Sequence, residues 1–241
     1  IAFEEMYFMQ CDVLQKKKEW KGERQERLKI PMDVELIRAF FESLNFTPTN
    51  SQKISIYEIL KDMEEDHSMS RLLEGDVGSG KTLVAVTVLA NVIRHGGQCA
   101  LMVPTEVLAR QHVSSIGKIL INFHNYLEEH KIENLRMKHP SIALLTGSVP
   151  ASEAQTIKNG LATGTIDLVI GTHSLIQETV QFHNLQLVIV DEQHRFGVSQ
   201  REQLKEKGSP HFLSMTATPI PRTLALTSYG HHDLSVLTEK P

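Results

Sequence analysis

The sequence predicts an α/β domain, a mostly parallel sheet with helices on both faces, preceded by a helical segment. Three observations predict it. From about residue 70 onward, short apolar and often β-branched runs alternate with stretches whose apolar residues stand three and four apart. Such alternation of strand and helix periods marks βαβ units. A glycine-rich stretch, Gly75 to Thr82, stands where one apolar run passes into a helical pattern. A second apolar run, Leu187-Val188-Ile189-Val190, ends in two carboxylates, Asp191 and Glu192.

Taken in order, Ile1 to Leu14 is apolar nearly all round, through Phe3, Met6, Tyr7, Met9, Val13 and Leu14. It is expected to be a helix that packs along Phe3, Tyr7 and Val13 or Leu14, on its own domain or on another copy. Lys16 to Lys29 holds seven Lys or Arg against three Glu. It reads as a solvated helix face, with a phosphate-contacting strip as the sharper alternative. Pro31 to Asn45 predicts a short helix, so residues 1–45 are expected to be a helical linker and 46–241 the main domain. Strands are predicted at Arg71–Leu73, Cys99–Val103, Ile142–Leu145, Leu168–Ile170, Leu185–Val190, Phe212–Met215 and Leu234–Leu237. Their continuous apolarity suits strands covered on both faces. Leu83, Val84, Val86, Val88, Leu89, Val92 and Ile93 form the clearest helical spacing between them.

With 41% hydrophobic residues in 241, the chain can build a full core as one large domain. Its formal charge of −4 excludes wholesale basicity, so any nucleic-acid contact must come from a local surface. The two cysteines, Cys11 and Cys99, stand in no ligand spacing; Cys99 lies in an apolar run and reads as a buried thiol. A reducing, cytoplasmic setting is expected, with no membrane partner, because no apolar run is long enough to span a bilayer and no secretion signal is visible. His67, His95, His112, His124, His130, His139 and the pair His231-His232 fit no metal-ligand pattern, so no structural metal is expected. The chain opens at Ile1 and stops at Pro241, and it is expected to be a piece of a longer protein.

Gly75-Asp76-Val77-Gly78-Ser79-Gly80-Lys81-Thr82 satisfies G-x-x-x-x-G-K-[ST] at every fixed position, after a predicted strand and opening a predicted helix. Glycines let the backbone wrap a phosphate, and the helix N-terminus adds a positive dipole end. Lys81 is placed to reach the outer phosphates and Thr82 to hold Mg²⁺. Asp191 and Glu192 end a strand, where open α/β sheets bind ligands. One acid there can hold the water shell of the ion, and the other can orient or deprotonate an attacking water.

Asp191-Glu192-Gln193-His194 resembles motif II of the superfamily 2 helicases, and Ser214-Met215-Thr216-Ala217-Thr218 their motif III. Pro104 to Gln111 resembles motif Ia, and Ile170-Gly171-Thr172-His173 the next strand-end motif along the nucleic-acid track. More narrowly, residues 75–82, 191–198 and 216–227 together resemble the DExH-type family of branched-DNA helicases, across essentially the whole chain. Transcription-repair coupling translocases share Arg195-Phe196-Gly197-Val198 and the run from Thr216 to Leu224, but usually read Asp-Glu-Glu-Gln at motif II. They are the alternative, as is a nucleotide-dependent DNA-binding module without turnover, against which Glu192 argues.

The resemblance implies a RecA-like P-loop NTPase domain using ATP and Mg²⁺. Gln52, preceded by Phe46 and Thr49, looks like the motif that reads adenine, with Pro48 where the family has Leu. Asp191 takes the Mg²⁺ water shell and Glu192 the catalytic base, while His194, Thr216 and Thr218 couple nucleotide state to DNA. Thr105, Arg110, Gly171 and Thr172 touch the sugar-phosphate backbone, contacts that position without reading sequence. The family usually reads Asp-Leu-Asp where this chain has His231-His232-Asp233. The whole protein is then expected to remodel replication forks and Holliday junctions in repair and recombination. A wedge domain before this chain and a second motor domain after it would be its partners in cis, and the chain alone would be nearly inactive.

Overall fold

The computed structural model describes residues 29–135, 138–191, 210–217 and 233–240. All seven predicted apolar runs are strands: β1 (Ser70–Gly75), β2 (Gln98–Met102), β3 (Ile142–Leu145), β4 (Leu168–Gly171), β5 (Leu185–Asp191), β6 (His211–Thr216) and β7 (Asp233–Leu237). They form one sheet in the order β3-β4-β2-β5-β6-β1-β7. Every pairing is parallel, so all the carboxyl ends lie along one edge. The helices among the described residues are α1 (Val34–Glu42), α2 (Asn50–Met63), α3 (Lys81–Arg94), α4 (Glu106–Glu129) and α5 (Ala151–Thr163).

Strand residues divide by the period of two. Cys99, Leu101 and Val103 enter the larger core, with α1 to α4, while Ala100 and Met102 enter the smaller one, with Ile157 and Leu161 of α5. Both faces of the inner strands β4, β2, β5, β6 and β1 are covered, which is why those runs are continuously apolar, whereas β3 and β7 at the sheet edges are less buried. Cys99 is fully buried, as its apolar run implies, and burial pushes its thiol well up from the usual range. No helix among the described residues is long and apolar enough to cross a membrane.

Residues 29–45, part of the segment expected to be a helical linker, carry α1 and pack on the domain. Ile30, Leu36, Ala39 and Phe40 are buried in the larger core, and the Phe40 ring meets Phe123 of α4 edge-on at 5.0 Å. Asn91, a polar residue inside the apolar α3, explains the docking. Its Oδ1 accepts from Asp33 N at 3.0 Å and its Nδ2 donates to Pro31 O at 3.0 Å. Asp33 in turn caps α1 by accepting from Leu36 N. The segment is therefore built into the domain, and the boundary expected at residue 45 does not separate two cores. Residues 1–28, which include the Ile1–Leu14 segment and most of the basic stretch, lie outside the described residues.

Candidate nucleotide site at the carboxyl edge of the sheet

The stretch from Gly75 to Lys81 joins β1 to α3. Gly80 precedes the helix at φ 86°, and a Cβ there would stand 2.2 Å from Gln52 Nε2. Conformation and space both demand glycine at that position. No side chain caps α3, so its first N–H groups are left to an incoming anion. Lys81 Nζ donates to the carbonyls of Gly75 at 2.5 Å and Asp76 at 3.0 Å, which holds the ammonium over the loop. Asp76, Val77 and Gly78 are exposed, whereas Ser79 is buried and its hydroxyl meets no hydrogen-bond partner among the described residues. Thr82 is half-buried at the second position of α3.

Gln52 is wholly buried beneath this loop. Its Nε2 donates to Ser79 O at 2.8 Å, and its Oε1 accepts from Thr49 N at 2.9 Å. Thr49 completes a capping box for α2, so the glutamine both starts the helix and buttresses the loop. The structure places its amide against the loop backbone. Beside it, Phe41, Phe46, Pro48 and Lys53 help line a groove of 640 Å³.

β6 separates β1 from β5. Glu74 stands opposite Thr216, and Asp191 opposite Met215, so the strand ends are abreast. Two strand spacings put the Asp191 backbone roughly 10 Å from that of the loop. Thr216 is buried, and the carboxylate of Asp191 meets His112 of α4, with Nε2 and Oδ2 3.2 Å apart. This partner is not visible in the sequence, although His112 directly follows the motif Ia segment ending at Gln111. Glu192, His194 and Thr218 lie outside the described residues, as do His231 and His232.

The four candidate DNA contacts are gathered at the other end of the edge and fall into two kinds. Thr105 is exposed and caps α4 by accepting from Leu108 N at 3.3 Å. Arg110 is exposed, with Nε and Nη2 donating to Glu106 Oε1 at 3.1 and 2.8 Å. The Ser148 hydroxyl donates to the same oxygen and, together with Arg110, holds the Glu106 carboxyl below its usual range. Gly171 and Thr172 are buried. A Cβ at Gly171 would lie 2.0 Å from Leu145 O, so strand approach alone explains that glycine. Among the described residues Glu65, Asp66 and His67 bring possible metal-ligating atoms within 4.8 Å of one another, on the turn after α2, an arrangement common without an ion.

A phosphate loop on β1, an acid ending β5 and a threonine ending the strand between them define a P-loop nucleotide-binding domain of the RecA-like kind. Residues 49–227 match the DEAD/DEAH box helicase family, and the chain belongs to it. Over its whole length it is 43% identical to ATP-dependent DNA helicase RecG of Aquifex aeolicus and 45% identical to that of Streptococcus pneumoniae. It spans 29% and 33% of the length of those curated relatives. A solved structure of RecG bound to a three-way DNA junction superposes with a TM-score of 0.77 at 40% identity, covering 99% of this chain and 30% of that one. The narrower resemblance expected from residues 75–82, 191–198 and 216–227 is thus borne out as a likeness to RecG.

Proposed function

We propose that this chain is the ATP-binding half of a motor, the first of two RecA-like domains in a RecG-type helicase that remodels branched DNA. The observation that supports this best is the constellation at the carboxyl edge, a buttressed phosphate loop and Asp191 flanking β6, in a chain alike to RecG from end to end. The donor set fits a magnesium nucleotide. Thr82 offers a hydroxyl and Asp191 a carboxylate, the hard oxygen ligands Mg²⁺ prefers. The uncapped N-terminus of α3, the buried Ser79 hydroxyl and the Lys81 ammonium suit phosphate oxygens. When bound, Mg²⁺ neutralises charge developing on the phosphates. Lys81 positions them, Glu192 orients the attacking water, and the segment from Phe46 to Gln52 lies beside the base. Thr216, with His194 and Thr218, links nucleotide state to DNA, which passes over Thr105 and Arg110. Such catalysis is positioning and electrostatics, completed by an arginine supplied from the second motor domain.

The test uses the full-length protein. Branched DNA should stimulate its ATP turnover, and Glu192→Gln should remove that turnover while sparing nucleotide binding. Equal stimulation by linear and branched DNA would overturn the assignment of substrate. Turnover surviving in Glu192→Gln would overturn the assignment of the base.

A further inference from the structure

We propose that His112 is a positioning residue for Asp191, fixing the direction of the carboxylate on which the cation beside the nucleotide depends. The inference rests on the nucleotide-site reading above and adds to it a residue from α4. The two side chains are largely withdrawn from solvent, with relative exposures of 13% for His112 and 15% for Asp191, and their polar atoms are 3.2 Å apart. A carboxylate accepts, so Nε2 is the donor of this bond. The other ring nitrogen, Nδ1, is buried with no hydrogen-bond partner among the described residues. A histidine kept only to fill space would be poorly suited here, because an apolar side chain fills space without burying a polar atom. What an imidazole adds at this position is the N–H aimed at Asp191.

That N–H matters because of where Asp191 stands. It is the last residue of β5, where the sheet's ladder stops. Among the described residues the hydrogen bond from His112 is the side-chain contact that orients its carboxylate. With Oδ2 held by His112, the rotation of the carboxylate is restricted. Partners that orient an acidic ligand in this way commonly change metal affinity by roughly 10- to 100-fold when removed. The contact also ties Asp191 to the helix whose first turns carry Thr105 and Arg110.

The experiment is ADP binding to the full-length protein by calorimetry, across a Mg²⁺ series and in EDTA. His112→Phe should raise the Mg²⁺ concentration for half-maximal tightening about tenfold and leave affinity in EDTA unchanged. His112→Gln, which keeps an N–H near the position of Nε2, should restore the parent's Mg²⁺ dependence to within about twofold, since the amide is again a donor to the carboxylate. If the Phe variant does not fold, His112→Asn, whose amide is too short to reach, serves in its place. A Phe or Asn variant with the parent's Mg²⁺ dependence overturns the proposal while leaving the nucleotide site standing. So does equal loss of affinity with and without Mg²⁺, which is what a structural role produces. A parent that binds ADP no better with Mg²⁺ than in EDTA overturns the nucleotide-site reading, and this inference with it.

Discussion

At the β1 end of the carboxyl edge, the loop of residues 75–80 is held by groups that reach it from outside. Gln52 of α2 bonds the carbonyl of Ser79, and Lys81 of α3 bonds those of Gly75 and Asp76. At the β2–β4 end, the exposed polar groups satisfy one another. Thr105 caps its own helix, and Arg110 and Ser148 converge on one oxygen of Glu106. The first region presents the uncapped start of α3 beside a loop braced by Gln52 and Lys81. In the second the cation already has a carboxylate, so a phosphate must compete for it. On the proposed reading, the nucleotide site is framed in advance, while a DNA contact at Arg110 has to displace Glu106.

The sharpest way to break that contrast is Lys81→Ala. The ammonium is the cation that the loop itself supplies, and charge-assisted hydrogen bonds are worth roughly 1.5–3 kcal/mol, so nucleotide affinity should fall by about 100-fold. Calorimetry finding parent-like affinity would remove the lysine from the site. Gly171→Ala tests the other end next. A Cβ 2.0 Å from the Leu145 carbonyl meets backbone that cannot swing aside. Overpacking of this kind costs about 1–3 kcal/mol, or roughly 2–12 °C in Tm for a domain of this size. An unchanged melting curve would show that Gly171 is not set by strand packing and would return it to the role of DNA contact.

Gln52→Ala should be milder in stability and more informative. It removes the bond to Ser79 O and half of the capping box, for about 1–2 kcal/mol. If the glutamine buttresses the loop, ADP and inorganic phosphate should both bind more weakly. If it serves the base alone, phosphate binding should be spared.

What could be read in advance follows the same division. The seven strands were legible because parallel strands buried on both faces leave continuous apolar runs. The phosphate loop was legible because its backbone demands glycine at fixed positions. The contacts that hold these pieces were not, since each joins residues distant in sequence. Gln52 reaches Ser79 across 27 positions, His112 reaches Asp191 across 79, and Asn91 reaches Asp33 across 58. A lone polar residue in an apolar helix, like Asn91, carries no sign of its partner. The packing of α1 on the domain was hidden for that reason, because it depends on Asn91 and on Phe123, far along the chain.

The smallest expected effect concerns whether Arg110 is spoken for. Ion pairs on the surface are screened by water and salt, so the Glu106 carboxylate competes only weakly with a phosphate. In the full-length protein, Arg110→Ala should flatten the dependence of DNA affinity on salt, lowering the logarithmic slope by about 0.9, the value of one phosphate contact to duplex. Glu106→Gln should do the reverse, freeing the guanidinium and tightening DNA binding about two- to fivefold at low salt. Acid should imitate that substitution. Ser148 and Arg110 depress the Glu106 carboxyl, so their tie holds above the ordinary carboxylate range and is lost only as pH falls through the lowered value. Binding by the parent should therefore gain on Glu106→Gln under acid conditions and lag behind it near neutrality. A salt slope unmoved by either substitution would take Arg110 off the DNA track, leaving the Glu106–Arg110–Ser148 cluster as a brace for the start of α4.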